Sequence, residues 1–313
     1  MKTRPPLTTA QRVLFSIFIA GIAGFFCAQV LRATSNTGDH YVSLRMARDL
    51  LAGADPYDSP VGFDWVSYPL PAALVSIPFS LLPDPLASGV FMALSSGLLA
   101  WLVLASGRIW RMAIFLSWPF IYSVLFAQWT PLLTCLWFLP VLLPLVLIKP
   151  QIALPMALTA KPSRWGIVSM ALLLGLSLAV YPRWPWVWFQ QVAGYQGIVP
   201  PLFVLPCGPL MLLALLRWRK RTAWLVALMA LMPQRVLYDQ LPLLLTASSW
   251  REMAFLIGTS WVTLPALLHY GGWKTLPGGW QTWIIASCYI PALIVVLRSD
   301  REKRQAQSSG QGL

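Results

Sequence analysis

Residues 37–69, TGDHYVSLRMARDLLAGADPYDSPVGFDWVSYP, decide how this chain is read. They hold Asp39, Asp49, Asp55, Asp58 and Asp64, half of the ten acidic residues, and one of the two histidines, His40. Charge in or beside a bilayer is costly, so polar chemistry gathered into one segment is where a function is expected. The rest of the chain reads as the scaffold that holds it.

Outward from this segment the chain is strongly apolar. Of its 313 residues 58% are hydrophobic and 11% charged, against about 25% charged in soluble domains. Mean hydropathy is +0.66. Repeated long apolar runs then give an all-α, polytopic helical membrane protein. The net charge of +13 does not point to nucleic acid. Its basic residues stand mostly at the ends of apolar runs, where they set orientation and meet anionic lipid. Cys27, Cys135, Cys207 and Cys288 lie singly in apolar runs, without metal-ligand spacing, and read as free thiols.

Lys2, Arg4 and Arg12 precede a first span at Val13–Leu31, too long for a signal-peptide core. Positive-inside logic puts the N-terminus in the cytoplasm and the loop 32–69 outside. In that loop His40–Ala52 is expected as an amphipathic helix lying in the interface, with Leu44, Ala47, Leu50 and Leu51 on one stripe. Leu70–Leu82, cut by Pro71 and Pro78, is too short to cross and reads as interfacial or re-entrant. Spans are then expected at Leu86–Ser106, Met112–Ala127, Leu132–Ile148 and Gly166–Tyr181. Leu202–Leu216, Ala223–Val236, Leu241–Trp250, Met253–Tyr270 and Thr282–Leu297 complete about ten. Both termini then lie inside, as do Arg217, Arg219, Lys220, Arg221 and Lys149, while Arg32, Arg45, Arg48, Arg183, Arg235 and Lys274 lie outside. Residues 1–298 form one transmembrane domain, and 299–313 a disordered tail.

Asp39 sits just past the first span. A carboxylate at the membrane boundary can serve as a general base, and it can equally cap the helix that starts at His40. Asp55-Pro56-Tyr57-Asp58 is turn chemistry with an interfacial tyrosine. Arg235 is an isolated cation beside an apolar run, able to grip a phosphate or to pair with Asp239 one turn on. Lys149 marks a cytoplasmic span end, and His269 an interfacial position beside Tyr270. There is no Gly-rich phosphate loop, no H-E-x-x-H, no G-x-S-x-G and no Cys/His cluster. A donor is therefore expected to arrive within the membrane.

The order of features carries a resemblance. Gly38-Asp39-His40-Tyr41 follows the first span, Gly53-Ala54-Asp55-Pro56-Tyr57 closes the amphipathic helix, and Tyr68-Pro69 opens a short apolar helix ending at Leu82-Pro83. Ala127-Gln128, Lys149-Pro150-Gln151 and Tyr238-Asp239 come later. Over roughly residues 10–245 this resembles the polyprenyl-phosphate-dependent glycosyltransferases of the GT-C superfamily, family eighty-seven. Ala127 stands where that family usually has Gly, and Leu70 where it has a second Pro. The resemblance implies metal-independent, inverting transfer of a sugar, typically mannose, from a polyprenyl-phosphate carrier to a lipid or glycan hydroxyl on the non-cytoplasmic face. It implies no cofactor, and a place in a bacterial inner membrane. Asp39 takes the position of the general base. Arg235, Arg45, Arg48 or His40 would supply the cation for the carrier phosphate. Tyr57, Asp58, Tyr68, Gln128, Lys149, Gln151, Tyr238 and Asp239 complete the candidate substrate contacts. Two other classes stay open: a transporter or flippase for an amphipathic solute, and a non-catalytic partner in envelope glycan assembly. A transporter calls for paired broken helices and internal repeats. The chain has broken apolar runs and no repeat.

Overall fold

A computed structural model describes residues 7–34, 38–58, 68–161, 163–194, 199–233 and 236–298. Every regular element among them is helical. They fall into two compact units: residues 1–112 with 121–198, and residues 113–120 with 199–313.

The first unit is built on α1 (Thr9–Thr34) and α4 (Asp84–Ala105), both long and apolar enough to cross a bilayer. They run antiparallel, and small residues let their backbones touch. A Cβ placed on Gly24 would stand 2.6 Å from the Gly89 carbonyl oxygen, and one on Gly97 would stand 3.0 Å from the Ala20 Cβ. Ser16, Ala20, Gly24 and Ala28 recur every fourth residue, so one face of α1 is a stripe of small side chains. In lipid, where apolar burial drives little, such close backbone approach is what holds helices together.

Between them lie α2 (His40–Leu51) and α3 (Leu70–Ser80). The expected limits of α2 hold to within a residue, with Gly53 in the left-handed region just past its end (φ 73°). Its environment is less open than a surface helix would have. Val42, Met46 and Ala47 pack with Tyr57, Leu70, Ala73 and Trp184, so α2 is enclosed while Leu51 stays exposed. Ser76 Oγ donates to Ser43 Oγ across the α2–α3 contact at 3.0 Å.

Several runs expected to cross are broken instead. Met112–Ala127 divides into a tight turn of helix at Ile109–Leu116 and α5 (Trp118–Leu125). Pro119 brings no N–H, and the Ser117 hydroxyl accepts the Phe120 N–H at 3.3 Å. Leu132–Ile148 is no span either. It folds as α6 (Thr130–Thr134), a single turn at Cys135–Trp137 and a tight helix at Pro140–Leu147 that is kinked at Leu142. Pro140 and Pro144 remove the donors a continuous helix would use. α7 (Pro150–Thr159) follows, and then α8 (Arg164–Val180) and α9 (Trp184–Gly194), bent against each other by 93°.

The second unit contains α10 (Arg221–Leu231), α11 (Trp250–Ser260), α12 (Thr263–Tyr270), α13 (Trp280–Ile284) and α14 (Ile290–Arg298). A fully buried tight helix, Leu237–Thr246, lies in it. α11 starts with a reciprocal cap between Ser249 and Glu252. Tyr289 OH donates to the Met229 carbonyl at 3.1 Å.

Among the described residues four stretches are long and apolar enough to cross a membrane: Thr9–Thr34, Asp84–Ala105, Trp250–Tyr270 and Trp280–Arg298. The bent α8–α9 pair makes a fifth if it counts as one broken span. The ten continuous spans expected from hydropathy are therefore not what the helices provide. The expected tail, 299–313, lies outside the described residues. The four cysteines are unpaired thiols, as their spacing predicted.

Candidate functional site

The site is in the first unit, where residues 38–40 run beside 126–128. Asp39 N donates to the Phe126 carbonyl at 2.9 Å, and His40 N to the Ala127 carbonyl at 3.2 Å. The join is tight and strained. Gly38 has φ 65°, and a Cβ there would stand 2.8 Å from the Phe126 oxygen. Ala127 has φ 45°, a left-handed conformation that L-residues with a Cβ rarely adopt.

Asp39 occupies the N-cap position of α2, yet its side chain makes no capping hydrogen bond. Its carboxylate, 3% exposed, turns inward instead. Tyr68 OH donates to Oδ2 at 3.2 Å, and Lys149 Nζ stands 3.9 Å from the same oxygen. Lys149, 2% exposed, also donates to Gln128 Oε1 at 3.2 Å. Gln128 is fully buried and anchored by its own N–H on the Ser123 carbonyl at 2.9 Å and by Nε2 on the Phe126 carbonyl at 3.3 Å. A buried carboxylate and a buried ammonium survive together because each offsets the other's desolvation, with neutral hydrogen bonds closing the shell. The elements are chosen for this. Lys149 is the residue just before α7, delivered by the broken segment Pro140–Leu147. Had Leu132–Ile148 crossed the membrane, Lys149 and Asp39 would lie on opposite faces, so the cytoplasmic placement of Lys149 relative to Asp39 is overturned.

Behind the carboxylate His40 is wholly enclosed. Its ring stacks on Phe91, with centroids 4.0 Å apart and planes within 7°, and meets Phe79 and Trp129 edge-on at 5.5 and 5.7 Å. Nδ1 lies 3.4 Å from Ser88 Oγ. Burial pushes its pKa down to about 3, so the ring is neutral near pH 7. His40 therefore does not supply the cation expected of it.

Arg48 does not supply it either. Its guanidinium closes the α3–α4 turn, with 2.6 Å to Asp84 Oδ1, 2.8 Å to the Leu82 carbonyl and 3.0 Å to the Ser80 carbonyl. Arg45 lies 3.9 Å from Asp49, its i+4 neighbour. Lys149 is the cation that meets Asp39.

Tyr57 is a buried strut. Its OH donates to the Tyr68 carbonyl at 3.3 Å, its N–H to Asp55 Oδ1 at 2.9 Å, and Tyr181 OH donates to Asp55 Oδ2 at 2.7 Å. The Asp55–Tyr57 turn thus ties α8 to the chain that presents Tyr68. Asp58 is exposed, and Gln151 is half-buried in the first turn of α7. Tyr238 and Asp239 are buried in the tight helix of the second unit. Arg235, its expected pairing with Asp239, and Asp64 lie outside the described residues.

The arrangement offers a carboxylate for a proton, a phenol beside it and an ammonium for an anion. No protein-family model, curated protein or solved structure matches this chain. Among the described residues no three His, Cys, Asp or Glu side chains converge to hold a metal ion. Phe91, Ser88 and Trp129 were not marked by any sequence pattern. Ser88 and Phe91 lie inside one expected span, and Trp129 just past the end of another.

Proposed function

We propose that this chain is an integral membrane glycosyltransferase of GT-C type. It would transfer a sugar, mannose on the resemblance, from a polyprenyl-phosphate carrier to an acceptor hydroxyl on the non-cytoplasmic face of a bacterial inner membrane. The observation that carries the reading is the buried Asp39 carboxylate held between the Tyr68 hydroxyl and the Lys149 ammonium. Asp39 takes the proton of the acceptor hydroxyl, whose oxygen attacks the anomeric carbon. The bond from that carbon to the phosphate oxygen breaks, the electron pair leaves with the carrier phosphate, and the anomeric configuration inverts. Lys149 supplies positive charge where the leaving phosphate develops negative charge. Gln128 holds the ammonium toward Asp39.

The test is sugar transfer from a synthetic polyprenyl-phosphate mannose by purified protein, with Asp39→Asn and Lys149→Gln beside the wild type. Transfer by the wild type that falls at least about a hundredfold in Asp39→Asn, with the fold intact, is expected. Equal transfer by both would remove Asp39 from the chemistry. No transfer from any of several lipid-linked sugars would overturn the enzyme reading.

A further inference from the structure

His40 and Trp129 raise a question that packing does not answer. Both are fully buried, and the Nε2 of one and the indole Nε1 of the other have no hydrogen-bond partner among the described residues. Thr130, the next residue, carries a third such atom in its hydroxyl. Buried polar atoms left unpartnered are rare and cost about 1–3 kcal/mol each. If the only duty of residue 40 were to stack on Phe91, phenylalanine would do it without a nitrogen to satisfy.

The two atoms are complementary. An indole N–H only donates, and a neutral imidazole whose Nδ1–H faces Ser88 presents a lone pair at Nε2. A hydroxyl oxygen accepts the first and donates to the second. The two rings are neighbours, with centroids 5.7 Å apart and planes at 65°, so both unpartnered atoms belong to one pair of touching side chains. Tyr68 joins this box to the carboxylate, with its ring 6.3 Å from that of Trp129 and its hydroxyl on Asp39.

We infer that His40 and Trp129 form a buried subsite for one hydroxyl oxygen, next to the Tyr68 that bonds Asp39. The hydroxyl belongs to a sugar or to a water molecule, which the two atoms recognise alike. The subsite goes beyond the glycosyltransferase reading and stands whether or not Asp39 is catalytic. It makes His40 a binding residue rather than a piece of core.

The chain has only two histidines, so ¹⁵N-histidine labelling in nanodiscs, with His269→Gln for assignment, isolates the His40 ring. The expected spectrum has one ring nitrogen protonated and Nε2 shifted from a free imine to a hydrogen-bonded acceptor. Trp129→Phe should return Nε2 toward the free value. A saturable change on adding a soluble mannoside assigns the hydroxyl to a sugar, and a bonded Nε2 indifferent to mannoside assigns it to water. A free-imine Nε2 in the wild type, with and without mannoside, overturns the subsite without recourse to any substitution in the box. A bonded Nε2 unmoved by Trp129→Phe overturns it as well.

Discussion

The Nζ of Lys149 lies 3.9 Å from Oδ2 of Asp39, with both side chains almost wholly shielded. Such a pair adds little over an apolar substitute, but neither half tolerates losing the other. Its presence therefore speaks for use rather than for stability.

The pair should behave as a unit. Asp39→Asn or Lys149→Met alone is expected to cost about 3–5 kcal/mol, because each leaves a buried charge without its counterpart. The double substitution should lose less than the sum by about 1 kcal/mol or more. Unfolding of the detergent-solubilised protein, followed through a double-mutant cycle, measures this. Additive losses would mean that the two charges do not couple.

Acid should unfold the protein through His40, which sits in α2, outside the spanning helices. Its pKa falls from 6.5 to about 3 on burial, so the unfolded chain binds a proton that the folded one refuses. The stability due to the neutral ring is complete above pH 6.5 and is lost as pH falls toward 3. His40→Phe should flatten the fall in thermal midpoint across that window. An unchanged profile would place the acid sensitivity elsewhere.

The α1–α4 contact should discriminate between neighbouring glycines. A Cβ on Gly24 would meet the Gly89 oxygen at 2.6 Å, whereas one on Gly21 would meet nothing within 4 Å. Gly24→Val is expected to cost about 1–3 kcal/mol through forced separation of the helices. Gly21→Val, facing outward, should leave the unfolding midpoint nearly unchanged. Equal effects would dissolve the packing argument.

Ala127→Gly should raise stability by about 1 kcal/mol, since φ 45° strains a residue with a Cβ but not glycine. Gly38→Ala should lower it, having both a left-handed φ and a carbonyl oxygen 2.8 Å from the added methyl. Thermal scans of the two variants should therefore move in opposite directions.

The limits of α2 and the singular place of Asp39 were legible in residues, because Gly53 and a lone acidic cluster announce them. The path of residues 132–160 was not. Hydropathy weighs Leu and Val, while the route is set by the N–H groups that Pro140 and Pro144 lack. Lys149, between Ile148 and Pro150, looks the same whether it ends a span or turns inward. Arg48 likewise resembles any interfacial arginine, and only the α3–α4 turn reveals that all three of its nitrogens donate, to Asp84, Ser80 and Leu82. The α1 stripe of Ser16, Ala20, Gly24 and Ala28 lay in plain view, but a small-residue repeat becomes an interface only when its partner helix is known.

Asp39, Tyr68, Gln128 and Lys149 all belong to the unit formed by residues 1–112 and 121–198. Residues 199–298 contribute none of these four groups, so a substitution there leaves the carboxylate, the phenol, the amide and the ammonium all in place.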